Sequence, residues 1–394
     1  MRHVPRELEA QVLRAARAFP VVVLTGPRRA GKTWLLRRAF PAASYHLFED
    51  PDVVQRFRSD PRGFLDSIQE PAILDEIQNV PEVFAHVRSR VDAAPRRTGR
   101  WFLTGSQEAG LMRNVTESMA GRAAVLQLWP MSRRESDRVS VLHGGYPEVL
   151  ARPRAAPLWF ASFLQTYLER DVRAITAVQD LATFRRFLGI LAARHGQILN
   201  RSDLAAPLGV SVPTIGRWLD VLETTAQILV VPPYFENLGK RLVKSPKVYV
   251  ADSGIACHLL GIETEAELNK SPFRGSILEG FVAAELCKRQ LAAGRRREIY
   301  YFRDQQGLEV DLVVPSRNGA LRLVEVKATA TPRPEMALPM QRLAAAAAGK
   351  GAGVRRAATM TVVHLPSRTA PASRVLAPGV EAVAWPDFVI GEFA

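Results

Sequence analysis

The sequence is poor in cysteine and has no long apolar run. Of its 394 residues only Cys257 and Cys287 are cysteines, and they lie far apart, with no C-x-x-C pair and no histidine pair at metal-ligand spacing. A structural zinc site or a disulfide framework is therefore not expected. No stretch reaches the roughly 18 consecutive apolar residues of a membrane-spanning helix, so we expect no membrane partner. The first residues, 1–19, have the spacing of an amphipathic helix rather than of a signal peptide, which favours a cytoplasmic protein.

The sequence also contains fewer acidic than basic residues. There are 39 Asp and Glu against 53 Lys and Arg, a formal net charge of +14. Such an excess favours a polyanionic partner, nucleic acid before membrane, and DNA is the partner we expect. The alternative explanation is a compositional bias, because Arg, Ala and Pro are abundant throughout the chain.

The most informative stretch that is present is a glycine-rich loop between an apolar strand, 21–24, and a helical run. It matches G-x-x-x-x-G-K-[ST], the Walker A or P-loop pattern, whose backbone N–H groups surround the phosphates of a nucleoside triphosphate. We expect Lys32 to reach the β- and γ-phosphates and the Thr33 hydroxyl to bind Mg²⁺. The predicted site for ATP and Mg²⁺ consists of Gly26, Pro27, Arg28, Arg29, Ala30, Gly31, Lys32 and Thr33.

Two acidic residues, Asp75 and Glu76, end a second apolar strand that begins at Ala72. This is the Walker B arrangement, which places Asp75 at the carboxyl end of a strand beside the P-loop. We expect Asp75 to hold Mg²⁺, directly or through water, and Glu76 to polarise the attacking water. Strands and helical stretches alternate over residues 1–140, which predicts a parallel α/β sheet covered by helices.

Six short stretches occur in a distinctive order along the chain. They are GPRRAGKT, ILDEIQNVPE, WFLTGSQ, AGRAAVLQLWPMS, GGYPEV and YLERDV. Together they resemble the bacterial and archaeal AAA-type ATPases that are fused to a C-terminal domain of unknown function. The resemblance covers nearly the whole chain. It implies an AAA-type P-loop ATPase domain at 1–140, a helical and winged-helix middle at 141–265, and a PD-(D/E)XK nuclease-like domain at 266–394.

The resemblance also implies roles for two further positions near the nucleotide. In AAA-type ATPases a strand beside the γ-phosphate carries a polar sensor, and Thr104 or Ser106 fits that place. Arg122 precedes the strand at 124–128 and has two interpretations. It would stabilise transition-state charge from a neighbouring subunit, which implies a homo-oligomer, or it is an exposed surface charge.

In the middle region, residues 200–219 read as helix, glycine turn and helix, the order of a helix-turn-helix. Ser211 can cap the second helix, and Thr214, Arg217 and Ser211 would face a DNA major groove. Strands at 228–231 and 247–250 would form a wing. The cations of this wing are Lys240, Arg241, Lys244 and Lys247. They suit phosphate contacts, although a winged helix that only packs between domains is the alternative.

Charged residues in the C-terminal region follow a helix and two strands. Glu279 lies in a predicted helix, Asp311 in a strand, and Glu325 with Lys327 in the next strand. This is the layout of the PD-(D/E)XK nuclease fold, although the Pro-Asp pair before the strand is missing. Asp311 and Glu325 would bind Mg²⁺ with Glu279 completing the metal shell, and Lys327 would orient or help deprotonate the attacking water.

The alternative for these charges is the solvated face of an amphipathic strand. Their neighbours in Val-Asp-Leu-Val-Val and Val-Glu-Val-Lys are nearly all apolar, however. The carboxylates are therefore expected in or beside a core, where they need a metal ion or another partner.

Three functions are compatible with these patterns. The first is an ATPase that drives DNA processing with a metal-dependent, nuclease-like C-terminal domain. The second is an ATP-switched DNA-binding or regulatory assembly in which the nuclease fold is inactive, and protein remodelling is a third. The joint presence of Asp311, Glu325 and Lys327 favours the first.

Overall fold

The computed structural model describes residues 4–105, 119–167, 181–234, 243–316, 319–348, 358–367 and 375–391. Three sheets follow one another along this part of the chain, each accompanied by helices. Among the helices within these residues, none is long and apolar enough to cross a membrane.

The N-terminal part is a parallel sheet, as predicted. Its strands are β1 (Val21–Thr25), β2 (Ser44–Leu47), β3 (Ala72–Asp75), β4 (Trp101–Thr104) and β5 (Ala123–Gln127). The order is β2-β3-β4-β1-β5, and every pair is parallel. The surrounding helices are α1 (Glu9–Ala18), α2 (Lys32–Ala39), α3 (Pro51–Ser59), α4 (Pro61–Ser67) and α5 (Val83–Ala93). Strand β1 is buried along its whole length, as expected for a parallel strand with both faces covered.

The middle part combines short helices with a small antiparallel sheet. Its helices are α6 (Pro147–Ala151), α7 (Ala156–Tyr167), α8 (Leu181–Ala193), α9 (Arg201–Ala205), α10 (Val212–Thr224), α11 (Ser253–Leu259) and α12 (Glu265–Lys270). The strands are β6 (Gln197–Ile198), β7 (Ile228–Val231) and β8 (Lys247–Val250). Strand β8 lies between β6 and β7.

Capping side chains fix where several of these helices begin. Ser211 accepts a hydrogen bond from Thr214 N at the start of α10, which confirms the predicted cap. Asn200 caps α9, and Thr264 with Glu267 forms a capping box at α12. The two helices predicted as a helix-turn-helix therefore begin at local sequence signals.

The C-terminal part is a mixed sheet packed on one long helix, α13 (Arg274–Ala292). The remaining elements are β9 (Tyr300–Arg303), β10 (Glu309–Pro315), β11 (Leu321–Lys327), α14 (Leu338–Ala348), β12 (Ala358–His364), β13 (Val375–Ala377), β14 (Val380–Ala384) and α15 (Trp385–Ile390). The order is β13-β14-β12-β11-β10-β9. Strands β9, β10 and β11 are antiparallel neighbours, whereas β11, β12 and β14 run parallel.

The largest hydrophobic cluster crosses the predicted domain boundaries at 140 and 265. It contains Trp129 and Met131 from the first segment, Tyr249 from the second, and Leu278 and Val324 from the third. Two other clusters, by contrast, draw only on residues between 8 and 128. The middle part and the C-terminal sheet also have clusters of their own. The largest cluster thus joins three parts that each have a core.

Candidate nucleotide site and acidic cluster

The P-loop connects β1 to α2 and requires glycine at two places. Gly26 has φ of 141°, and a Cβ there would lie 2.0 Å from the Leu128 carbonyl oxygen. Gly31, the residue before α2, has φ of 96°. Both backbone conformations lie where side chains are rarely tolerated, so the glycines of the motif are needed to form the turn.

Lys32, Thr33 and Asp75 meet at the carboxyl end of β1 and β3. The Lys32 ammonium is buried and donates to the carbonyl oxygens of Gly26 (2.9 Å) and Pro27 (3.1 Å), so it lies across the loop. The Thr33 hydroxyl donates to Asp75 Oδ2 at 2.7 Å. A hydroxyl and a carboxylate oxygen beside phosphate-binding N–H groups suit Mg²⁺, and the residues present therefore fit the predicted ATP–Mg²⁺ site.

Two further side chains hold Asp75. The hydroxyl of Thr104, at the end of β4, donates to Asp75 Oδ1, and the Tyr45 hydroxyl on β2 donates to Oδ2 at 2.8 Å. Burial and this bond to Asp75 raise the pKa of Tyr45 well above its usual range. Thr104, one of the two residues predicted as the polar sensor beside the γ-phosphate, thus lies at the Walker B carboxylate. The other, Ser106, lies outside the described residues. Tyr45 belongs to no motif and is invisible in the sequence pattern.

Glu76 follows β3 and lines the nucleotide pocket beside the P-loop. It is a non-glycine residue in the left-handed region, with φ of 56°, a conformation that costs roughly 1–2 kcal/mol. Its N–H donates to Thr104 Oγ1 at 3.4 Å, and its carboxylate lies 3.7 Å from the Arg28 guanidinium. The turn therefore directs the Glu76 carboxylate toward the loop that receives the phosphates.

The nucleotide pocket is a cavity of about 470 Å³. Its polar side is formed by Arg28, Lys32, Thr33 and Glu76, among others. Further lining residues come from outside the P-loop and include Val4, Met131 and Pro147. The pocket is thus built jointly by the N-terminal arm, the sheet and the segment that enters the middle part.

Arg6 in the N-terminal arm lines the nucleotide pocket and holds the P-loop in place. Its side chain is buried and donates to the carbonyl oxygens of Ala30 and Trp129, each at 2.7 Å. Its Nε bonds to Glu135 Oε1 at 3.0 Å. Sequence reasoning missed Arg6, because a lone arginine before a helix forms no motif.

Replacing Arg6 by alanine should raise the dissociation constant for ATP by about tenfold or more. The change leaves two buried carbonyls and Glu135 without this partner, and the P-loop loses its support. Binding can be measured with a fluorescent ATP analogue. Arg14→Ala, on the exposed side of α1, is the control, and an unchanged dissociation constant for Arg6→Ala would contradict the role of Arg6.

Arg122 lies at the amino-terminal ends of the strands, whereas the P-loop lies at their carboxyl-terminal ends. Its carbonyl accepts from Val21 N at the start of β1, whereas the P-loop follows the end of that strand. Its guanidinium forms two hydrogen bonds to the Asp92 carboxylate, at 2.6 and 3.2 Å, on the exposed surface. Within one chain Arg122 is therefore not brought to the nucleotide, and its action on a neighbouring subunit stays a prediction.

Asp311, Glu325 and Lys327 come together in the C-terminal sheet, as the sequence predicts. Strands β10 and β11 are antiparallel, and continuing their register by one residue places Asp311 opposite Glu325. The Lys327 ammonium lies 2.6 Å from Glu325 Oε2 and 3.6 Å from Asp311 Oδ2. The three side chains open into a cavity of about 890 Å³ that Arg342 of α14 also lines.

Lys247 is buried among the same acids, so its prediction as a phosphate-contacting cation of the wing is wrong. Its ammonium lies 2.9 Å from Glu279 Oε1, 2.7 Å from Glu309 Oε1 and 3.9 Å from Asp311 Oδ1. The Tyr249 hydroxyl donates to the same oxygen of Glu279 at 2.6 Å. Together with Glu325 and Lys327, these groups form what we call the acidic cluster.

The charges of the acidic cluster shift one another's protonation. Burial and the Asp311 carboxylate raise the pKa of Glu325 and that of Glu279 above the usual range of a glutamate. Burial works to lower the pKa of Lys247 and Lys327, but the surrounding carboxylates outweigh it and hold each pKa above the usual range of lysine. Both lysines are therefore cations.

In this structure the acidic cluster is not arranged around a metal-ion position. Within the described residues, no group of three or more His, Cys, Asp or Glu side chains is arranged to hold a metal ion. The ammonium of Lys247 joins Glu279 to Asp311, and that of Lys327 joins Asp311 to Glu325. The carboxylates are held by lysines, and Mg²⁺ binding by Glu279, Asp311 and Glu325 stays a prediction.

The outward face of α10 carries the residues predicted to approach DNA. Ser211 and Arg217 are exposed and Thr214 is half-buried. The Thr214 hydroxyl bonds to the Ser211 hydroxyl at 2.9 Å and accepts from Arg217 Nη2 at 3.2 Å. Lys240 and Arg241 of the predicted wing lie outside the described residues.

Three family models match successive parts of the chain. They are an AAA domain at residues 18–136 and two domains of unknown function, DUF8612 at 136–266 and DUF4143 at 274–370. Over 334 residues the chain is 34% identical to the uncharacterized protein Rv2008c of Mycobacterium tuberculosis and to Mb2031c of Mycobacterium bovis, covering 83% of this chain and 74% of each relative. Among solved structures, the Walker-type ATPase PABY2304 of Pyrococcus abyssi matches with a TM-score of 0.44 and 17% identity, over 64% of this chain and 94% of that chain.

Proposed function

This chain carries an AAA domain and belongs to the family that includes the mycobacterial protein Rv2008c, and on that premise we propose that it hydrolyses ATP to process DNA. The observation that carries the ATPase part is the convergence of Lys32, Thr33, Asp75 and Glu76 on one pocket. Mg²⁺ bound with ATP would neutralise phosphate charge, held by Thr33 and Asp75.

Each side chain of the pocket has a separate role in the proposed hydrolysis of ATP. Lys32 and the N–H groups of the P-loop bind the phosphates, and Glu76 orients the attacking water and accepts its proton. Thr104 and Tyr45 keep Asp75 in one orientation through hydrogen bonds to its two oxygens. Preorganised groups of this kind stabilise the transition state because they need not reorient as charge develops.

Contact with DNA is proposed for the middle part, where the order helix, strand, two helices and two strands is that of a winged helix. The elements in this order are α8, β6, α9, α10, β7 and β8. The exposed Arg217 on α10, the exposed Ser211 that caps this helix, and the net charge of +14 support docking of α10 on DNA.

The C-terminal part is proposed to have a PD-(D/E)XK nuclease-like fold. Support comes from Asp311 facing Glu325 on neighbouring strands, from Lys327 beside them, and from Glu279 on the preceding helix α13. A second function, an ATP-switched DNA-binding assembly whose nuclease fold does not cut, is favoured by one observation. Lys247 and Lys327 already form ion pairs with the carboxylates that cleavage would require.

Cleavage and binding of DNA can separate these two functions. Wild type, Lys32→Ala and Lys327→Ala would be incubated with single-stranded, duplex and branched DNA, in Mg²⁺ or Mn²⁺, with and without ATP. For DNA processing we expect cuts by wild type that Lys327→Ala abolishes, with Lys32→Ala losing any dependence on ATP. Lys270→Ala, an exposed lysine at the end of α12, is the control.

The other outcomes are equally informative. DNA that is bound and released with ATP turnover but never cut would favour the switched assembly over the nuclease. Hydrolysis of ATP without binding of any DNA in the panel would contradict both DNA functions and leave the ATPase alone.

A further inference from the structure

Lys247 reaches the acidic cluster from a different part of the fold. It is the first residue of β8, in the small middle sheet, whereas Glu279, Glu309 and Asp311 belong to α13 and β10. Only 4% of its side chain is exposed. A buried ammonium inserted from a neighbouring sheet is thus surrounded by three carboxylates.

Strand geometry explains why the Lys247 side chain points toward Glu279. Alternate residues of a strand point to the same side, so Lys247 and Tyr249 project together from β8. Their terminal groups meet on one oxygen of Glu279, at 2.9 and 2.6 Å. Val248 on the other side packs into the core around α8 and α10. The apolar side of β8 therefore anchors the strand in the core of the middle part, and its polar side places the Lys247 ammonium and the Tyr249 hydroxyl against Glu279.

The position of the Lys247 ammonium is the one a bound cation would need. Carboxylates that are withdrawn from water require a counter-charge, and an ammonium or a divalent ion can supply it. The ammonium lies within 4 Å of Glu279, Glu309 and Asp311, with its two shortest contacts at 2.7 and 2.9 Å. A divalent ion bound between the same oxygens would meet this positive charge at close range.

We propose that Lys247 is a resident cation that takes the place of a divalent metal ion between Glu279, Glu309 and Asp311. The cluster is thereby balanced without metal, and Lys247 sets how weakly a divalent ion binds there. The inference rests on the proposed nuclease-like site and refines it, because it names the residue that decides whether a divalent metal ion can bind there. It requires neither DNA nor ATP, so it can fail or succeed independently of the proposed function.

The test is the affinity for Mn²⁺ alone, measured by equilibrium dialysis without nucleotide or DNA. Lys247→Met removes the ammonium and keeps a similar length of apolar side chain. We expect this variant to bind Mn²⁺ at least about tenfold more tightly than wild type, in the range by which groups around a metal alter its affinity. We also expect Mn²⁺ to raise the melting temperature of Lys247→Met more than that of wild type. Lys244→Met, an exposed lysine three positions earlier, is the matched control and should behave as wild type.

A purely structural role for Lys247 predicts otherwise, since loss of stability in Lys247→Met would not be repaired by Mn²⁺. Equal Mn²⁺ affinity in wild type and Lys247→Met, or none in either, overturns the proposal. If Lys247→Met does not fold, the pair Lys247→Met/Glu309→Gln and Glu309→Gln alone repeat the comparison with one negative charge fewer. The proposal is also overturned if wild type binds Mn²⁺ with micromolar affinity and Glu279→Gln abolishes that binding, whatever the result for the Lys247 variants.

Discussion

Replacing Glu76 by glutamine should lower the turnover number for ATP by about 10²- to 10⁴-fold while leaving ATP affinity nearly unchanged. That range is the usual contribution of a positioned general base. The glutamine keeps the size of the side chain and its contact with Gln78 but cannot accept a proton from water. The 3.7 Å approach of Glu76 to Arg28 is lost as an ion pair, which has little effect on binding because Lys32 and the loop remain.

This result is best measured in single turnovers, with affinity determined separately by a fluorescent analogue. Lys32→Ala provides the contrast, since it should weaken binding and hydrolysis together. Glu82→Gln, an exposed acid that pairs with Arg58 outside the pocket, is the control. A Glu76→Gln enzyme that hydrolyses ATP within a few-fold of the wild-type rate would remove Glu76 from the chemistry.

Replacing Lys288 by methionine should lower the free energy of unfolding by about 3–5 kcal/mol, the usual cost of breaking a buried ion pair. Lys288 and Glu285 lie 2.8 Å apart on α13 with 7% and 3% of their side chains exposed. The pair also holds the chain that follows β5, because Lys288 donates to the Met131 carbonyl at 2.9 Å and Glu285 accepts from Arg133 N at 2.7 Å. Its loss leaves a buried carboxylate without a counter-charge.

Urea denaturation of Lys288→Met, Glu285→Gln and the double variant gives the coupling between the two side chains. The double variant should recover part of the loss of the single variants, because it leaves no unpaired charge. ATP affinity should also fall in Lys288→Met, since Met131 lines the nucleotide pocket. Additive effects of the two substitutions, with no coupling, would contradict the buried pair.

Local motifs account for what the sequence predicted well. The P-loop and the Walker B pair each lie within one strand and the turn that follows it. The roles of Lys32, Thr33 and Asp75 can therefore be predicted from the residues next to them in the sequence. The same holds for the Ser211 cap, which depends on the N–H three positions later. Strand bounds in the parallel sheet followed from continuous apolar runs that end at polar residues.

Contacts between distant segments account for what it missed. Arg6 and Tyr45 reach the nucleotide site across 24 and 30 positions, and no periodicity marks them. Lys247 was predicted to be exposed because it follows other cations in the sequence. That assignment is reversed by the contact of β8 with α13 and β10, through the ion pairs of Lys247 with Glu279 and Glu309.

The distribution of the hydrophobic clusters has a consequence for synthesis of the chain. The clusters of the parallel sheet use only residues between 8 and 128, so this part can fold while the rest is still on the ribosome. The cluster that covers Trp129 and Met131 is completed by side chains of α13 and the C-terminal sheet. The wall of the nucleotide pocket that contains Met131 therefore takes its final position only after the C-terminal part has emerged, and a chain cut short before α13 would expose that apolar surface to chaperones.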